Sequence, residues 1–469
     1  MKFRLFTFYL IFVQNFIQAQ SCSDLNIKLT SEIKSTCNIL PMTMLHDQKD
    51  RTYLYVANKE GGLKVYNISK IEKPYIIDSI NTSAFESLDV MNLHQDGDYL
   101  YLALGNSFSS NQKSGMAIID VTSPENISLL DYYIVPNSTS GGGVIKTEGN
   151  YAYLGAMQNG LQILDITDKK DIKFISQFSP SISFPPISNP DKAKYNARGM
   201  DVKNGIVYLC YDAGGIRIIN CTDKLHPRQT GKWCNPAMYT PLDHPKAYNN
   251  VLLRDSLLYV TVDYCGVEVI NIKDTHNIKL QSWWNPYHCP NNNWFTSPSH
   301  TNELVIDTLA KRLFMSTGKS DMIVLDISNP SQLDSCNYFG GASNNIGTWG
   351  INRYKNQVYL SYICTFGIPF VSNWSGIKIL TYQENTNLLN EVNSAAFTIF
   401  PNPSDGKINI SFDPTKENTI TILSLLGEKI YQEKCTQESI DLRFLPNGIY
   451  LLEFNQENIR KSVKLIIEH

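Results

Sequence analysis

The sequence predicts an all-β protein, a seven-bladed β-propeller followed by a small β-sandwich of Ig-like type, and three observations predict it. The first is a stretch written seven times, typified by Gly160-Leu-Gln-Ile-Leu-Asp-Ile-Thr167, whose copies begin at residues 62, 115, 160, 215, 266, 321 and 376. The second is a short apolar run ahead of each copy, such as Tyr151-Ala-Tyr-Leu-Gly155 or Val207-Tyr-Leu-Cys210. These runs are too short for helices and rich in β-branched and aromatic residues, so they read as strands. The third is a series of short strand-like runs between turn residues after residue 396.

At the N-terminus, Lys2 and Arg4 precede an apolar run over residues 5–13, and Ile17-Gln-Ala19 offers a cleavage position. Residues 1–19 therefore read as a secretory signal peptide. No later stretch reaches about 18 consecutive apolar residues, so no transmembrane segment is expected in the mature chain. A net charge of -3 implies neither nucleic acid nor anionic membrane as a partner. Cys22 lies close behind the cleavage point, but the Leu usual three residues ahead of a lipid-anchored cysteine is missing, so secretion without a lipid is expected. Ten cysteines in an exported chain imply disulfides, and Cys22 with Cys37 is the first candidate pair. The other cysteines form no close CxxC pair and have no paired histidines at ligand spacing, so neither a metal nor another cofactor is expected.

Residues 22–383 carry the repeats. Successive copies start 53, 45, 55, 51, 55 and 55 residues apart, near the period of about 40–50 for four-stranded blades. A further apolar segment precedes and another follows each pair of runs, giving four strands per repeat. Adjacent apolar residues such as Ile163-Leu164 suit a sheet packed on both faces. A closed ring needs its last blade tied to its first, and either Leu25-Asn-Ile-Lys-Leu29 or Leu388-Leu389 could supply the missing outer strand. The runs Tyr151-Ala-Tyr-Leu and Gly160-Leu-Gln-Ile-Leu-Asp-Ile-Thr167 resemble the LVIVD-repeat family, and the likeness extends from about residue 40 to 383. That resemblance implies an exported propeller and assigns no chemistry. Two copies depart from it, with Asp321 in place of Gly and Thr381 in place of Asp or Asn.

Residues 384–396 are polar and Asn-rich and read as a linker. Residues 397–469 resemble the C-terminal sorting domain of the type IX secretion system, through Phe400-Pro-Asn-Pro-Ser-Asp-Gly-Lys-Ile-Asn-Ile410, Leu425-Leu-Gly427, Leu445-Pro-Asn-Gly-Ile-Tyr-Leu451 and a terminal Lys461-Ser-Val-Lys-Leu-Ile466. The resemblance singles out Pro401, Asn402, Pro403, Gly406, Gly427, Gly448 and Tyr450. It implies a Bacteroidota-type bacterium, the type IX machinery as partner, and a chain displayed at the cell surface or released.

The recurring Asp or Asn (Asn67, Asp120, Asp165, Asn220, Asn271 and Asp326) invites a catalytic or calcium reading. Its place at a strand end before Ser or Thr instead suits an Asx turn, one per blade around the rim. Function is expected where the repeats disagree. The long loops opening on one face hold Trp284, Tyr287, Trp294, Phe295 and Trp374 among amides, as surfaces that stack sugars or grip proteins do. Glu86, Arg198, Asn249, His300 and Trp349 occupy roughly equivalent places ahead of the innermost strands and would form a polar funnel. The reading is an exported propeller binding a glycan or protein ligand through this face. The alternative is a polysaccharide-acting enzyme using Glu86, Arg198 and His300, which must then converge. His244, Asp243 and Asp263 could also be assembled into an acid/base site, but no spacing requires it. No GxSxG, HExxH or phosphate-loop motif accompanies either reading, and no catalytic residue is assigned.

Overall fold

The computed structural model describes residues 25–108, 111–238, 247–289, 297, 299–341, 345–367, 370–384, 399–410, 418–424, 429–435, 437–456 and 459–469. The expected signal peptide, linker and Leu388-Leu389 lie outside the described residues. The chain divides into two compact units, Met1–Gln383 and Glu384–His469.

Among the described residues, the first unit consists of seven four-stranded antiparallel sheets and a two-stranded ribbon. Six sheets are consecutive in sequence, each running from an innermost first strand to an exposed fourth, as in Val144–Glu148, Tyr151–Gly155, Leu161–Asp165 and Lys173–Phe178. The innermost strands touch in a closed cycle: Thr43–His46, Val90–Asp96, Val144–Glu148, Gly199–Lys203, Tyr248–Arg254, Leu304–Asp307, Thr348–Tyr354, and back to the first. The fold is therefore all-β and propeller-like, with the sheets as blades.

Each blade is buried on both faces by its neighbours. Leu161, Ile163, Leu164 and Ile166 are all fully buried, and a register shift falls between Ile163 and Leu164 in the pairing with the fourth strand. Shifts at the equivalent place occur in five other blades, at residues 65/66, 118/119, 218/219, 269/270 and 324/325. The extra residue lies on the fourth strand, as Ile175 does between Phe174 and Ser176, and a bulge there increases the local twist of the blade's outer edge. The glycine that opens six of the seven repeats is required by close approach. Gly215 has φ +74, and a Cβ there would lie 2.1 Å from the Trp233 carbonyl oxygen.

The repeated Asp or Asn turns the chain in all six blades that carry it. The side-chain oxygens of Asn67, Asp120, Asp165, Asn220, Asn271 and Asp326 accept from the backbone N–H two residues on, at 2.7 to 3.1 Å. In blade seven the place of the fourth strand is taken by a strand from the N-terminal side of the chain. Its third strand runs on over Gly376–Glu384 and pairs on its outer side with Leu25–Lys34, so the N-terminal strand completes the last sheet. Thr381, which stands where the turn residue would be, lies 3.1 Å from Thr30 across that pairing, hydroxyl to hydroxyl.

The expected Cys22–Cys37 bridge is corrected: Cys37 is bonded to Cys364. Once the N-terminal strand lies in blade seven, the chain after it crosses the loops of that blade, where Ser35 N–H donates to the Ser375 carbonyl. Cys37 thus meets the loop that follows Gln357–Tyr362. Cys265 pairs with Cys289, Cys336 is also disulfide-bonded, and Cys210, Cys221 and Cys435 are buried thiols.

The second unit is a sandwich of a three-stranded sheet (Ile399–Phe400, Lys407–Ile410, Ser439–Asp441) and a four-stranded one (Asn418–Leu423, Lys429–Lys434, Gly448–Gln456, Ile459–Ile467). Ile408, Ile420, Leu442, Leu452 and Leu465 fill its core. Asn402 holds the entry segment to the last strand, donating to the Lys464 carbonyl at 2.6 Å and accepting from Ile466 N–H at 2.9 Å. Pro401 and Pro403 follow cis peptide bonds. Gly406 has φ +97 and abuts the Arg443 backbone. Tyr450 hydroxyl donates to the Pro446 carbonyl at 2.8 Å, and a Cβ at Gly448 would meet only ordinary contacts with the Tyr450 ring. Gly427 lies outside the described residues.

Candidate functional site at the channel mouth

The turns between second and third strands and the segments entering each innermost strand meet on one face of the ring. There they enclose a cavity of about 560 Å³ lined by residues of several blades. Four residues of the expected funnel reach it or its floor: Arg198, His300 and Trp349 line it, and Asn249 Oδ1 lies 3.4 Å from Arg198 Nη1. Asn249 also donates to the Thr301 carbonyl at 2.8 Å, which joins its blade to the next. Glu86 is corrected. It is exposed, is not among the cavity's lining, and caps the 3-10 helix Thr82–Phe85 in a left-handed conformation, so blade two enters its first strand along a different path. The Glu86, Arg198 and His300 convergence that the enzyme reading needs is therefore not formed.

Two oppositely charged pairs and one histidine–carboxylate contact stand at the mouth. Arg198 Nε lies 3.0 Å from Asp212 Oδ1, His300 Nε2 lies 2.6 Å from Asp263 Oδ1, and Lys59 Nζ lies 3.3 Å from Asp89 Oδ2 while also contacting Glu60. Burial pushes the Asp212 carboxyl up to about 6, opposed by Arg198 and by the Asn196 amide, which donates to it at 2.8 Å. The apolar side of the cavity comes from Trp349, from Phe108, whose ring meets Trp349 edge-on at 5.0 Å, and from the highly exposed Phe366.

Sequence reasoning missed Lys59 and Asp212 and gave Asp263 no role from its place in the repeat. A common position unites them: each stands three residues before the first residue of the repeated stretch, as do Met157 and Gly318. All five have left-handed φ, from 33° at Asp263 to 58° at Gly318. The carbonyls of Met157, Asp212 and Asp263 accept from Ala197, Tyr248 and Thr301 N–H in the next blade. The turn thus ties neighbouring blades and carries its side chain to the channel mouth. A left-handed φ is uncommon for Lys and better tolerated by Asp.

The channel below is polar. Glu303 lines this narrow space, and burial raises its carboxyl to about 7 although Ile351 N–H donates to it at 3.1 Å. His94 is held down at about 3 by burial and by the nearby Lys146 charge.

Three aromatic residues of the expected loop face are described, and none of the three lines the channel-mouth cavity. Trp284 is buried, its indole N–H donating to Ser335 Oγ at 2.9 Å. Tyr287 meets that ring edge-on at 6.2 Å, and both line a separate cavity of about 450 Å³ together with exposed Tyr338. Trp374 is half-buried and packs edge-on against Tyr362. Trp294, Phe295, Asp243 and His244 lie outside the described residues. Among the described residues no group of three or more His, Cys, Asp or Glu is arranged to hold a metal ion, and no helix is long and apolar enough to cross a membrane.

The ring and its mouth define a propeller-like repeat protein joined to a separate C-terminal sandwich. The chain carries LVIVD repeats, matched over residues 143–178, which span blade three, and 313–335, together with a secretion system C-terminal sorting domain matched over residues 398–468. Among solved structures it is similar to the RRP9 WD40 repeats, with TM-score 0.56 and 8% identity, covering 76% of this chain and 100% of that one. A computationally designed protein, Ika8, aligns with TM-score 0.45 and 10% identity over 73% of this chain and 83% of that one. No curated protein matches the chain. The sorting domain indicates export, to the cell surface or as a secreted protein, and implies interaction with the type IX secretion machinery.

Proposed function

We propose that this exported propeller is a glycan-binding protein and that its ligand sits in the mouth of the central channel. The observation carrying the proposal is the coincidence of aromatic surface and hydrogen-bonding charge in one cavity: Phe108, Trp349 and Phe366 beside Arg198 and Asp212. A volume of about 560 Å³ lies in the range of small-ligand sites and accommodates a few sugar rings or the end of a chain. Aromatic faces take the apolar C–H face of a sugar, and charged groups orient its hydroxyls. The sorting domain sets such a protein outside the cell, where polysaccharides are available to it.

A glycan array probed with the full chain tests the proposal. Binding that falls at least tenfold on Phe108→Ala or Phe366→Ala supports it, since both rings are exposed and their loss spares the core. Binding unaffected by either substitution sinks the channel mouth as the site.

A further inference from the structure

We infer that the ligand is an acidic sugar, a uronate whose carboxylate is held by Arg198 and Lys194. This deepens the glycan-binding reading and rests on it. The charges lining the cavity are not equally committed. Lys59 is occupied by Asp89 and Glu60, and Asp263 by His300. Lys194 is exposed at the rim and makes no ion pair among the described residues. Arg198 touches Asp212 at 3.0 Å, yet Arg198 Nε and Asp212 Oδ1 make no aligned hydrogen bond, and its contact to Asn249 is long at 3.4 Å.

Two cations from one short segment thus face the cavity with their hydrogen-bonding capacity largely unspent. The guanidinium fork suits a carboxylate, and a lysine at the rim adds attraction without fixed geometry. Asp212 is the internal competitor, a carboxylate occupying the charge that a ligand carboxylate would take. The aromatic side favours a sugar ring as the carrier of the acid over an acidic peptide, because the exposed rings of Phe108 and Phe366 offer apolar surface for the C–H face of a sugar.

The experiment is calorimetric titration of the full chain with trigalacturonic acid, with its fully methyl-esterified form, with a neutral trisaccharide and with a glutamate trimer. The acid trimer is expected to bind at least tenfold more tightly than the ester. Arg198→Gln and the surface variant Lys194→Gln should each weaken acid binding several-fold or more, whereas Asp212→Asn should strengthen it. Opposite responses at adjacent residues separate ligand contact from structural damage. Equal binding of acid and ester overturns the acidic assignment and leaves glycan binding standing. Binding of the neutral trisaccharide with no response to the acid has the same meaning. No binding of any saccharide counts against both, and a glutamate trimer that binds as well as the uronate overturns the sugar. Unchanged acid affinity in both Lys194→Gln and Arg198→Gln overturns the residue assignment.

Discussion

Arg198 Nε lies 3.0 Å from Asp212 Oδ1 at the channel mouth, in contact but not in an aligned hydrogen bond. Asp212 holds a left-handed φ of 45°, and burial raises its carboxyl to about 6. An arrangement that combines backbone strain, desolvation and an incompletely satisfied ion pair is unfavourable for folding alone. It keeps a charge exchangeable, since a ligand can take the guanidinium when Asp212 gives it up.

Ligand binding is therefore expected to depend on pH through Asp212, which faces Arg198, the Asn196 amide and, more distantly, Asp263. Protonated below about 6, Asp212 releases Arg198 to an anionic ligand; ionised above it, it competes. Affinity for an acidic sugar should fall several-fold between pH 5 and 8 in the parent protein and stay flatter in Asp212→Asn. A profile identical in the two proteins would refute the competition.

Glu268 predicts a pH effect on stability. Its carboxylate is fully buried, accepts from Trp233 Nε1 and Asn235 Nδ2 at 2.9 Å and from the Tyr248 hydroxyl, and is still pushed up to about 7 by burial. A folded-state value above the unfolded one means that the native state holds the proton longer. This group's stabilising contribution is complete below about 4.5, the unfolded value, and is lost as pH rises through about 7. The shift corresponds to roughly 3 kcal/mol. His94 acts with the opposite sign over the acid side, so the difference between variants is the measurement rather than the parent profile. Glu268→Gln should gain on the parent in denaturant midpoint as pH goes from 5 to 8; a constant difference would refute the assignment.

How much of this was legible depended on whether a residue served the repeat or departed from it. The Asx turns could be read because Asn67, Asp165 and their equivalents do the same job in six blades, and a position repeated at fixed spacing reveals its geometry. Thr381 departs because its strand runs on and pairs with Leu25–Lys34, one of the two outer strands that the sequence offered without deciding between them. Arg198, His300 and Trp349 were found by their place ahead of an inner strand. Glu86 was misplaced because a 3-10 helix shifts the equivalence in blade two. Lys59 and Asp212 escaped because the turn position carries Lys, Met, Asp and Gly in different blades. What is constant there is φ, which the residue type conceals. Trp284 ends the strand Lys279–Trp284 and is buried, a place that an aromatic residue next to a long loop does not reveal in the sequence.

The Asx turns predict a small, local cost. Asp165→Ala removes the bond from Thr167 N–H at 2.8 Å at a position that solvent reaches, so a loss of about 0.5–1 kcal/mol in chemical denaturation is expected. Asp165→Asn should retain most of that stability, since the amide oxygen accepts as well. Loss of ligand binding in Asp165→Asn would show that the rim carboxylates do more than turn the chain.

Ring closure gives the largest expected effect. Leu25–Lys34 covers the outer edge of Gly376–Glu384, and Cys37, just after it, is bonded to Cys364 across 327 residues of sequence. Cys364 also lines the channel-mouth cavity, so the bridge holds together the N-terminal segment, blade seven and the candidate site. A cross-link closing so long a loop restricts the unfolded chain strongly, and losing it costs roughly 2–5 kcal/mol. Cys37→Ser with Cys364→Ser, which leaves no stray thiol at either position, should lower the thermal midpoint by several degrees. It should also raise hydrogen exchange in residues 25–34 and 376–383 before the inner strands respond. The cost should appear mainly as faster unfolding, because strands brought together from opposite ends of the chain pair late in folding. A variant that folds more slowly, with an unchanged unfolding rate, would place this closure in the folding nucleus and overturn that order.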